Sequence, residues 1–366
     1  MKLIISTYDD IKNPNYGGGG AIALHELAKR LTRKFEVTVI SWNHSGIKNE
    51  NIDGVEYARI GFSFISPKIA MFIFQMILPF FAIFKSFDLW IESFAPPFTT
   101  AFLPIFTRKP VVGVVHMLAA EDMKRKYKVD LGRIENAGIR KYKHIVSTQN
   151  MIREKILSVN PQCNCKVISN GIEKVYPEKV TKKKQFLFLG RIEINQKGLD
   201  LLIDTFKKFN KLSKEKYKLV IAGSGLDSDL KRLKQLIKES ELDNQIVLAG
   251  RVEGKSKETL MKESTAMILT SRFETFSMVA LESLAFGLPL VTFDIEGLKW
   301  IPDNVVRKAE SFNTDDLANV LLEIINNKKL QEEMRINGLK YATKYTWDNI
   351  AKEYEDLIDE IKNAKR

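Results

Sequence analysis

The strongest constraint on the fold is a regular alternation of short apolar runs with amphipathic helical patterns, which occurs twice along the chain. The first series occupies residues 2–149, and the second begins near residue 168. Short apolar runs interleaved with helices are typical of doubly wound parallel sheets. Since 366 residues exceed what a single core usually holds, we predict an α/β protein with two Rossmann-like domains, at residues 1–168 and 169–345.

The apolar runs of the second series share a further property, because each leads into glycine, serine or aspartate. They are QFLFLGR, KLVIAGSG, QIVLAGR, AMILTS and LPLVTFD. Ligands of doubly wound sheets bind at the carboxyl ends of the strands, and Gly190 and Gly223 stand at two of these ends. We therefore expect a ligand site at this edge of the second sheet.

The cysteines and the N-terminal segment indicate the compartment. Cys163 and Cys165 are one residue apart, a spacing that disfavours a mutual disulfide and supplies too few thiols for a structural metal site. The first residues, MKLIISTYDDIKNPN, do not have the pattern of a secretory signal peptide. We expect a protein of the reducing cytoplasm.

Positive charge is concentrated in the first half of the chain. Residues 1–168 have a formal net charge of +9 out of +12 for the whole chain, and residues 124–143 hold eight basic and two acidic residues. This distribution favours an anionic partner near the first domain, and a solvated lysine-rich surface is the alternative. Because no recognised nucleic-acid-binding module accompanies the charge, we expect no nucleic-acid partner.

One apolar segment, IAMFIFQMILPFFAIF at residues 69–84, interrupts the α/β pattern. It is sixteen residues long, is flanked by Lys68 and Lys85, and contains Gln75 and Pro79. A membrane-spanning helix needs roughly 20 apolar residues, so this segment is short for a span. Two interpretations stay open: a buried helix of the first domain, or an interfacial helix that lies in a bilayer surface.

A run of glycines between the first strand and the first helix is a candidate binding loop. In NPNYGGGGAIALHELAKRL, Gly18, Gly19 and Gly20 belong to a run of four glycines that would let backbone amides approach a phosphate or sugar closely. The spacing does not match the G-x-G-x-x-G fingerprint of nicotinamide dinucleotide sites. A flexible turn is the alternative interpretation.

One of the four histidines is a candidate site residue. His116 ends the apolar run VVGVV, at the carboxyl end of a predicted strand, where folds of this kind bind ligands. His25 lies within a predicted helix and His144 at the entry to a strand, so we expect structural roles for these two.

Two glutamates eight residues apart, Glu274 and Glu282, lie in the apolar run SRFETFSMVALESLAFGLPLVTFD. We predict a helix from about Ser277 to Phe286, since Gly287 suits the position after a helix and Pro289 prevents its continuation. Eight residues of helix turn through about 800°, so side chains at that spacing share a face only loosely. We expect the two carboxylates to grip separate parts of one elongated ligand rather than to form an acid–base pair.

A pair of cations suits a diphosphate at the same edge of the sheet. Arg191 follows a predicted strand and Lys197 precedes a predicted helix, so the helix dipole and both side chains favour negative charge. A pair of surface cations is the alternative. The backbone amides of Met278 and Val279, at the start of the helix that carries Glu282, offer a further phosphate site.

The sequence Asp227-Ser228-Asp229 spells D-x-D, a pattern that can hold a metal ion. Here it opens the amphipathic run SDLKRLKQLIKES, where acidic residues cap a helix and complement its dipole. No other group of His, Cys, Asp or Glu has metal-ligand spacing. We therefore predict no metal site.

These motifs, in this order, resemble glycosyltransferase family 4, the retaining nucleotide-sugar transferases of GT-B architecture, in which two Rossmann-like domains face each other across a cleft. The resemblance spans nearly the whole chain, and Glu274 to Glu282 matches the E-x7-E element of the family. The closing segment 346–366 is similar to the family's last helix, which crosses back onto the first domain. The motifs are Gly18-Gly19 before ELAKRL, VVGVVHM, SNGI, LGRIEINQKGLDLLI, IAGSG, LAGRVEG and ETFSMVALESLAFGLPLV.

The resemblance implies a role for each candidate residue. Arg191 and Lys197 would bind the donor diphosphate, Glu282 the ribose hydroxyls and Glu274 the transferred sugar, while His116 would contact that sugar near the reacting centre. The other implied donor-binding residues act through their backbone or lie beside the sugar: Gly18, Gly19, Gly20, Gly190, Gly223, Arg251, Val252, Thr275, Phe276, Ser277, Met278 and Val279.

The resemblance also implies the reaction. The sugar would be transferred with retention of anomeric configuration, by front-side attack of the acceptor, and without a metal or other cofactor, because Arg191, Lys197 and a helix dipole stabilise the leaving diphosphate. Many relatives have glycine in place of Ser277, and Gly20 lengthens the glycine loop. Both positions border the expected sugar site, so the sequence does not specify the donor sugar.

We accordingly expect a cytoplasmic hexosyltransferase that uses a UDP- or GDP-sugar. Its acceptor would be a glycan or a lipid-linked acceptor in cell-surface polysaccharide or glycolipid synthesis, and it would contact an anionic membrane peripherally. Two other classes stay open: a non-catalytic sugar-nucleotide-binding module on the same scaffold, and an NAD(P)-linked oxidoreductase.

Overall fold

The chain forms two units, each built around its own sheet. The computed structural model describes residues 1–13, 19–44, 46–47 and 49–364, apart from the side chains of Asp122, Arg125 and Lys126. Unit 1 consists of Met1–Gly171 and Trp347–Arg366, and unit 2 consists of Ile172–Thr346.

The sheet of unit 1 has the strand order β3-β4-β2-β1-β5-β6-β7-β8, and all of its described neighbours pair in parallel except β3 with β4. Its strands are β1 Lys2–Ser6, β2 Glu36–Trp42, β3 Asn49–Ile52, β4 Val55–Ile60, β5 Leu89–Ser93, β6 Val111–Val115, β7 His144–Ser147 and β8 Asn164–Val167. Its first helices are α1 Gly19–Leu31, α2 Pro67–Phe84, α3 Ala119–Tyr127, α4 Gly132–Ile139 and α5 Asn150–Val159, and a 3₁₀ turn spans Leu103–Ile105.

The sheet of unit 2 has the order β11-β10-β9-β12-β13-β14, with every described pair parallel. Its strands are β9 Gln185–Leu189, β10 Lys218–Ala222, β11 Ile246–Gly250, β12 Ala266–Leu269, β13 Leu290–Phe293 and β14 Arg307–Ala309. Its helices are α6 Ile194–Lys197, α7 Leu199–Leu212, α8 Asp227–Ser240, α9 Gly254–Glu263, α10 Met278–Ala285, α11 Thr314–Asn326 and α12 Lys328–Ala342. The α/β prediction with two mostly parallel sheets is therefore confirmed.

The central strands β6 and β9 are buried because both of their faces carry apolar side chains. All five residues of β6 and all five of β9 are buried, which is the pattern of central parallel strands covered by helices on both sides. Within β6, Gly113 lets a neighbouring side chain lie flat on the strand, since a Cβ there would be 2.4 Å from the ring of Phe94. Any larger residue at position 113 would therefore require the ring of Phe94 to move.

The last helix, α13 (Trp347–Asn363), returns to unit 1 and lies on α1. Its apolar face is buried, and ion pairs join it to α1 and to the residues that directly follow α1. Arg30 and Arg33 contact Asp348 at 3.2 and 2.8 Å, and Lys34 contacts Glu355 at 2.5 Å. The polypeptide thus completes unit 1 only after it has passed through unit 2.

Helix α2 buries one face and exposes the other. Ala70, Phe74, Gln75, Leu78 and Ala82 are its buried residues, and most of the helix is accessible to solvent. Gln75 is satisfied within unit 1, where its side-chain amide donates to the carbonyl of Ala95 and its Oε1 accepts from the backbone amide of Phe98. The interpretation of residues 69–84 as a buried helix is therefore wrong for its outward face.

The carboxyl ends of β9 and β10 approach each other closely, because two glycines leave room. The amide of Gly190 donates to the carbonyl of Ala222 at 3.0 Å, and that of Gly223 donates to the carbonyl of Gly250 at 2.7 Å. A Cβ on Gly223 would stand 1.7 Å from the carbonyl oxygen of Gly190. No side chain fits there without moving one strand end away from the other.

We expect Gly223→Ala to destabilise unit 2 by about 1–3 kcal/mol, as overpacking in a tight interior does. At about 2–4 °C per kcal/mol for a unit of this size, calorimetry would show unfolding several degrees lower. Gly20→Ala is the matched control, since a Cβ at Gly20 in α1 meets no atom within 4 Å. Unfolding of Gly223→Ala at the wild-type temperature would contradict the steric argument.

Candidate functional site

The predicted site residues of unit 2 lie where two neighbouring strands end. Strands β9 and β12 are adjacent and parallel. Arg191 follows β9, and the loop after β12 carries Glu274 and leads into α10. Because adjacent parallel strands end at the same edge of a sheet, the fold brings these two loops together.

An ion pair joins the two loops. Lys197 Nζ is 2.7 Å from Glu274 Oε1, and the hydroxyl of Ser271 donates to the same oxygen at 2.6 Å. Glu274 is only 6% exposed, and a carboxylate that is so buried needs a cation and hydrogen-bond donors to remain charged. The structure thus places two predicted site residues in direct contact.

Arg272, which the sequence analysis did not identify, fastens the loop after β12 to the elements after β9. Its guanidinium forms two hydrogen bonds with the carboxylate of Asp200, at 2.9 and 2.7 Å, and hydrogen bonding to Asp200 raises the pKa of Arg272. Its backbone amide donates to the carbonyl of Gln196 at 2.8 Å. These contacts hold the Glu274 loop against the helix that ends in Lys197.

Arg191 precedes the one-turn helix α6, and Lys197 is its last residue. The guanidinium of Arg191 donates to Gln196 Oε1 at 2.8 Å and contacts Glu193 at 3.3 Å, and about half of the side chain is exposed. Lys197 is the last residue of α6, and α7 starts at Leu199. The prediction that a helix opens after Lys197 is confirmed, although Lys197 itself belongs to the preceding turn.

Gly198 makes the junction between α6 and α7 possible. It has a φ of +61° and is both the C-cap of α6 and the N-cap of α7. A Cβ at this position would lie 2.0 Å from the carbonyl oxygen of Thr270. Glycine is therefore required both for the left-handed backbone and for the approach of the chain after β12.

Helix α10 begins and ends close to the predicted residues. Ser277 caps it, with its hydroxyl accepting from the amide of Ala280 at 3.4 Å, and Gly287 follows the cap residue Phe286 with a φ of +57°. Ser277 has a φ of +62°, in the left-handed region that favours glycine. Met278 and Val279 form the first turn of the helix.

The side chain of Phe276 packs into unit 2 and does not line the surface. It is buried and stacks on Trp300 at 4.5 Å between ring centroids, while the Trp300 indole N–H donates to the carbonyl of Phe276 at 2.8 Å. Gly297 completes this support, because a Cβ there would be 1.9 Å from the carbonyl oxygen of Glu274. Trp300 and Gly297 are supporting residues that the sequence analysis missed.

Glu282 has a cation of its own. Lys257 Nζ in α9 lies 2.6 Å from Glu282 Oε1, and both side chains are partly exposed. Glu274 and Glu282 therefore have different cationic partners, and their binding to separate parts of one ligand stays a prediction. The sequence analysis missed Lys257, because its partner lies 25 residues further along the chain.

The remaining predicted residues of unit 2 lie at other strand ends. Arg251 follows β11, is exposed and donates to Glu253 at 2.7 Å, and the half-buried Val252 packs against the core of unit 2. Thr275 is half-buried in the loop before α10. Gly190 and Gly223 are at the close approach of β9 and β10 described above.

Of the predicted glycine loop, Gly18 lies outside the described residues. Gly19 and Gly20 form the first turn of α1. The prediction that they belong to a loop is therefore wrong: the helical pattern of the following residues extends back to include them.

His116 directly follows β6 in unit 1, as predicted. Both nitrogens of its ring are buried, and neither has a hydrogen-bond partner among the described residues. Burial lowers the pKa of His116 to about 4, so the ring is neutral at ordinary pH. A neutral imidazole has one donor and one acceptor, and a ligand hydroxyl could satisfy either.

The D-x-D sequence has a structural role that differs from the predicted cap. Asp227 and Asp229 lie in the first turn of α8, where carboxylates complement the helix dipole. The cap position belongs to Leu226, and Asp229 instead accepts from the amide of Ile194 at 3.1 Å. This hydrogen bond ties α8 to the start of α6.

Two family descriptions match the chain in succession. "Glycosyltransferase Family 4" matches residues 17–174, and "Glycosyl transferases group 1" matches residues 172–341. An uncharacterized glycosyltransferase of Methanocaldococcus jannaschii is 28% identical over 390 aligned positions, which cover 96% of each chain. A GDP-mannose:cellobiosyl-diphosphopolyprenol alpha-mannosyltransferase of Xanthomonas oryzae is 24% identical over 272 positions, which cover 70% of this chain and 68% of the relative.

Solved structures share the fold. The Anabaena protein HepE, solved in complex with UDP, matches 98% of this chain and 100% of its own with a TM-score of 0.76 and 16% identity. The fold is that of the GT-B glycosyltransferases. The two matching family descriptions and the relative that aligns over nearly the full length show that the chain belongs to glycosyltransferase family 4.

Proposed function

We propose that this protein is a retaining, metal-independent hexosyltransferase that uses a UDP- or GDP-sugar. The observation that carries the proposal is the contact between Lys197 and the buried Glu274 at the strand ends of unit 2. Known complexes of the structural neighbour HepE with UDP and with UDP-glucose support a nucleotide-sugar donor.

Lys197 has enough donors to serve Glu274 and a diphosphate together. An ammonium group has three N–H donors and no acceptor, and Glu274 takes one of them in the structure. A diphosphate bound to the others would lie beside Glu274, so the sugar attached to it would have hydroxyls within reach of that carboxylate. Arg191, held by Gln196, supplies a second cation for the phosphates.

The chemistry follows from this charge distribution. In the proposed reaction the bond between the anomeric carbon and the diphosphate oxygen breaks, and its electron pair leaves with the diphosphate. The acceptor hydroxyl forms the new bond on the same face of the sugar, and its proton goes to the departing phosphate oxygen. Lys197 and Arg191 stabilise the negative charge that develops on that leaving group.

Glu282 is the proposed ribose ligand. Its pairing with Lys257 at 2.6 Å fixes one carboxylate oxygen, and the other oxygen can accept from ribose hydroxyls. Arg251 and Val252, after β11, would flank the base through their backbone. These assignments do not distinguish uridine from guanosine, because backbone contacts have little base-specific side-chain signature.

His116 is the proposed contact to the transferred sugar. Its buried ring lacks hydrogen-bond partners among the described residues, and a neutral ring can exchange hydrogen bonds with a sugar hydroxyl without adding charge near a developing cation.

The proposed acceptor is a glycan or lipid-linked acceptor of cell-surface polysaccharide or glycolipid synthesis, used at the cytoplasmic face of the membrane. The Xanthomonas relative is named as acting on a diphosphopolyprenol-linked sugar, and this supports a lipid-linked acceptor. The exposed apolar face of α2 supports contact with a membrane.

The first test is a titration with UDP, GDP and ADP in buffer with a metal chelator, followed by thermal unfolding. We expect one base to raise the unfolding temperature selectively, and the shift to be the same when Mg²⁺ replaces the chelator, since the phosphate cations belong to the protein. The donor sugar would then be sought among conjugates of that base by following transfer. A shift that needs Mg²⁺ would contradict metal independence, and no shift with any nucleotide would contradict the site.

The division of roles between Lys197 and Glu274 is testable with two variants. Lys197→Ala removes a charged hydrogen bond to phosphate, so we expect roughly 10- to 100-fold weaker binding of the nucleoside diphosphate. Glu274→Gln keeps an oxygen that accepts from Lys197 and Ser271, so we expect nucleotide affinity within about threefold of wild type and a much slower transfer. Calorimetric titration and transfer assays give both quantities. Equal effects of the two variants on nucleotide affinity would contradict the assignment.

Because the ring of His116 is buried and neutral, we expect the protein to lose stability at acid pH. Its pKa is about 4 in the folded protein and about 6.5 when unfolded, so the unfolded chain takes up the proton first. Stability from the neutral ring is complete above pH 6.5 and is lost as the pH falls towards 4, by up to about 3 kcal/mol.

The comparison variant is His116→Asn, which has no group that titrates in this range. Urea unfolding at pH 4.5 and pH 7.5 should show a smaller acid loss in the variant than in the wild type. Equal losses in the two proteins would contradict the burial of His116 as a neutral ring.

A further inference from the structure

Helix α2 has two apolar stripes on opposite sides, and protein covers only one. The covered stripe consists of Ala70, Phe74, Leu78 and Ala82, four residues apart. The outer stripe has the spacing three, four, four and three, and its five large side chains are each 46–62% exposed. At 100° per residue these five fall within an arc of about 80°, opposite the covered stripe. They are Ile69, Phe72, Met76, Phe80 and Ile83.

A continuous apolar surface extends from this stripe onto neighbouring elements. A groove of about 320 Å³ runs beside α2, between Met76 and Pro79 on the helix and Ile105, Phe106 and Ile134 across from it. Ile105, Phe106 and Ile134 are themselves exposed, as is Phe84 at the end of the helix. An exposed apolar surface of this extent marks an interaction site in a soluble protein.

Basic residues border the apolar surface. Lys68 at the start of α2 lies over the ring of Tyr127 at 4.8 Å, which places the end of α3 next to the helix. Lys124 and Lys128 flank this tyrosine and are exposed, and the exposed Arg133 precedes the groove residue Ile134. Two further exposed cations, Arg108 and Lys109, follow the groove residue Phe106 closely.

The acidic side chains that the structure describes in this region, those of Glu121, Asp130 and Glu135, already have partners. Asp130 pairs with Lys124 at 3.3 Å and accepts from the amide of Gly132. Glu135 is buried, where it accepts from the hydroxyl of Thr99 and from the amide of Ala120 at 2.9 Å. Glu121 pairs with Lys155 at 2.8 Å. The border of the apolar surface therefore has an excess of positive charge.

We propose that this surface, formed by the outer stripe of α2, the groove and the basic border, seats unit 1 on an anionic phospholipid bilayer. The apolar side chains would enter the acyl region, and the lysines and arginines would meet the phosphates at the edge. The covered stripe of α2 keeps the helix on the protein, so the helix lies along the bilayer surface. The role of this membrane contact rests on the proposed function, since a lipid-linked acceptor would be presented at the bilayer surface.

The charge argues for a bilayer rather than for a second copy of the chain. A symmetric dimer through this surface would bring the same patch of each copy together, so the basic borders would face each other. A bilayer with anionic headgroups supplies the opposite charge along the whole border. Its interior also accommodates an apolar surface without shape complementarity.

The test is flotation of the full-length protein with vesicles of phosphatidylcholine alone or with about one-third phosphatidylglycerol. We expect binding to the anionic vesicles and at least tenfold weaker binding of the double variant Phe80→Asp/Ile83→Asp. The matched control is Leu212→Asp/Ile336→Asp, because both residues are exposed to about 50% on unit 2. The control should bind as the wild type does.

A second variant separates the charge from the apolar contact. Lys124→Glu/Lys128→Glu should weaken binding to anionic vesicles by at least tenfold while leaving any weak binding to phosphatidylcholine unchanged. The unfolding temperature of every variant without nucleotide reports whether both units are folded, and its shift with nucleotide tests the donor site separately from the membrane surface.

Three outcomes would overturn the proposal. Wild-type protein that stays in solution beside anionic vesicles is one, and equal vesicle binding by the α2 variant and its control is another. The third is a dimer in light scattering that the α2 variant dissociates, which would assign the surface to a second copy. Vesicle binding without any nucleotide shift would instead support this surface and count against the proposed transferase.

Discussion

The ion pair between Lys197 and Glu274 is the interaction on which the candidate site depends. A buried carboxylate is tolerated when a cation and further donors meet it, and Lys197 and Ser271 supply both. The pair joins the segment after β9 to the segment after β12, and the double hydrogen bond of Arg272 with Asp200 holds the same two segments a few residues away. The fold thus holds the two segments together, and the carboxylate that is proposed to contact the sugar neutralises the lysine that is proposed to contact the diphosphate.

Local sequence patterns were sufficient for the central strands of both sheets and for several helices. Strand runs, the start of α7 and the limits of α10 follow from periodicity, from Gly287 and from the position of Pro289, all of which act within one turn. Glycines made one helix start hard to predict, because Gly19 and Gly20 suggested a loop but begin α1. In the same way the acidic start of α8 suggested a cap, although Asp229 reaches across to α6.

The site residues that were missed act through distant partners. Lys257 meets Glu282 across 25 residues, Arg272 meets Asp200 across 72, and Trp300 supports Phe276 from a different loop. No single-sequence pattern encodes such pairs, because they depend on which strands become neighbours in the sheet. The covered face of α2 was unpredictable for a related reason: a helix that is apolar all round contains no record of which side the protein covers.

Because α13 returns to α1, the chain completes unit 2 before it completes unit 1. Unit 2 is continuous, whereas unit 1 is divided and lacks α13 until the last residues are joined. Arg30 and Lys34 cannot pair with Asp348 and Glu355 while the ribosome is still making unit 2. During synthesis the inserted unit can therefore mature first, and the first-made unit waits longest. A premature stop shortly before residue 347 would leave a complete unit 2 attached to a unit 1 that lacks α13, and the face of α1 that contacts α13 would be open to chaperones and proteases.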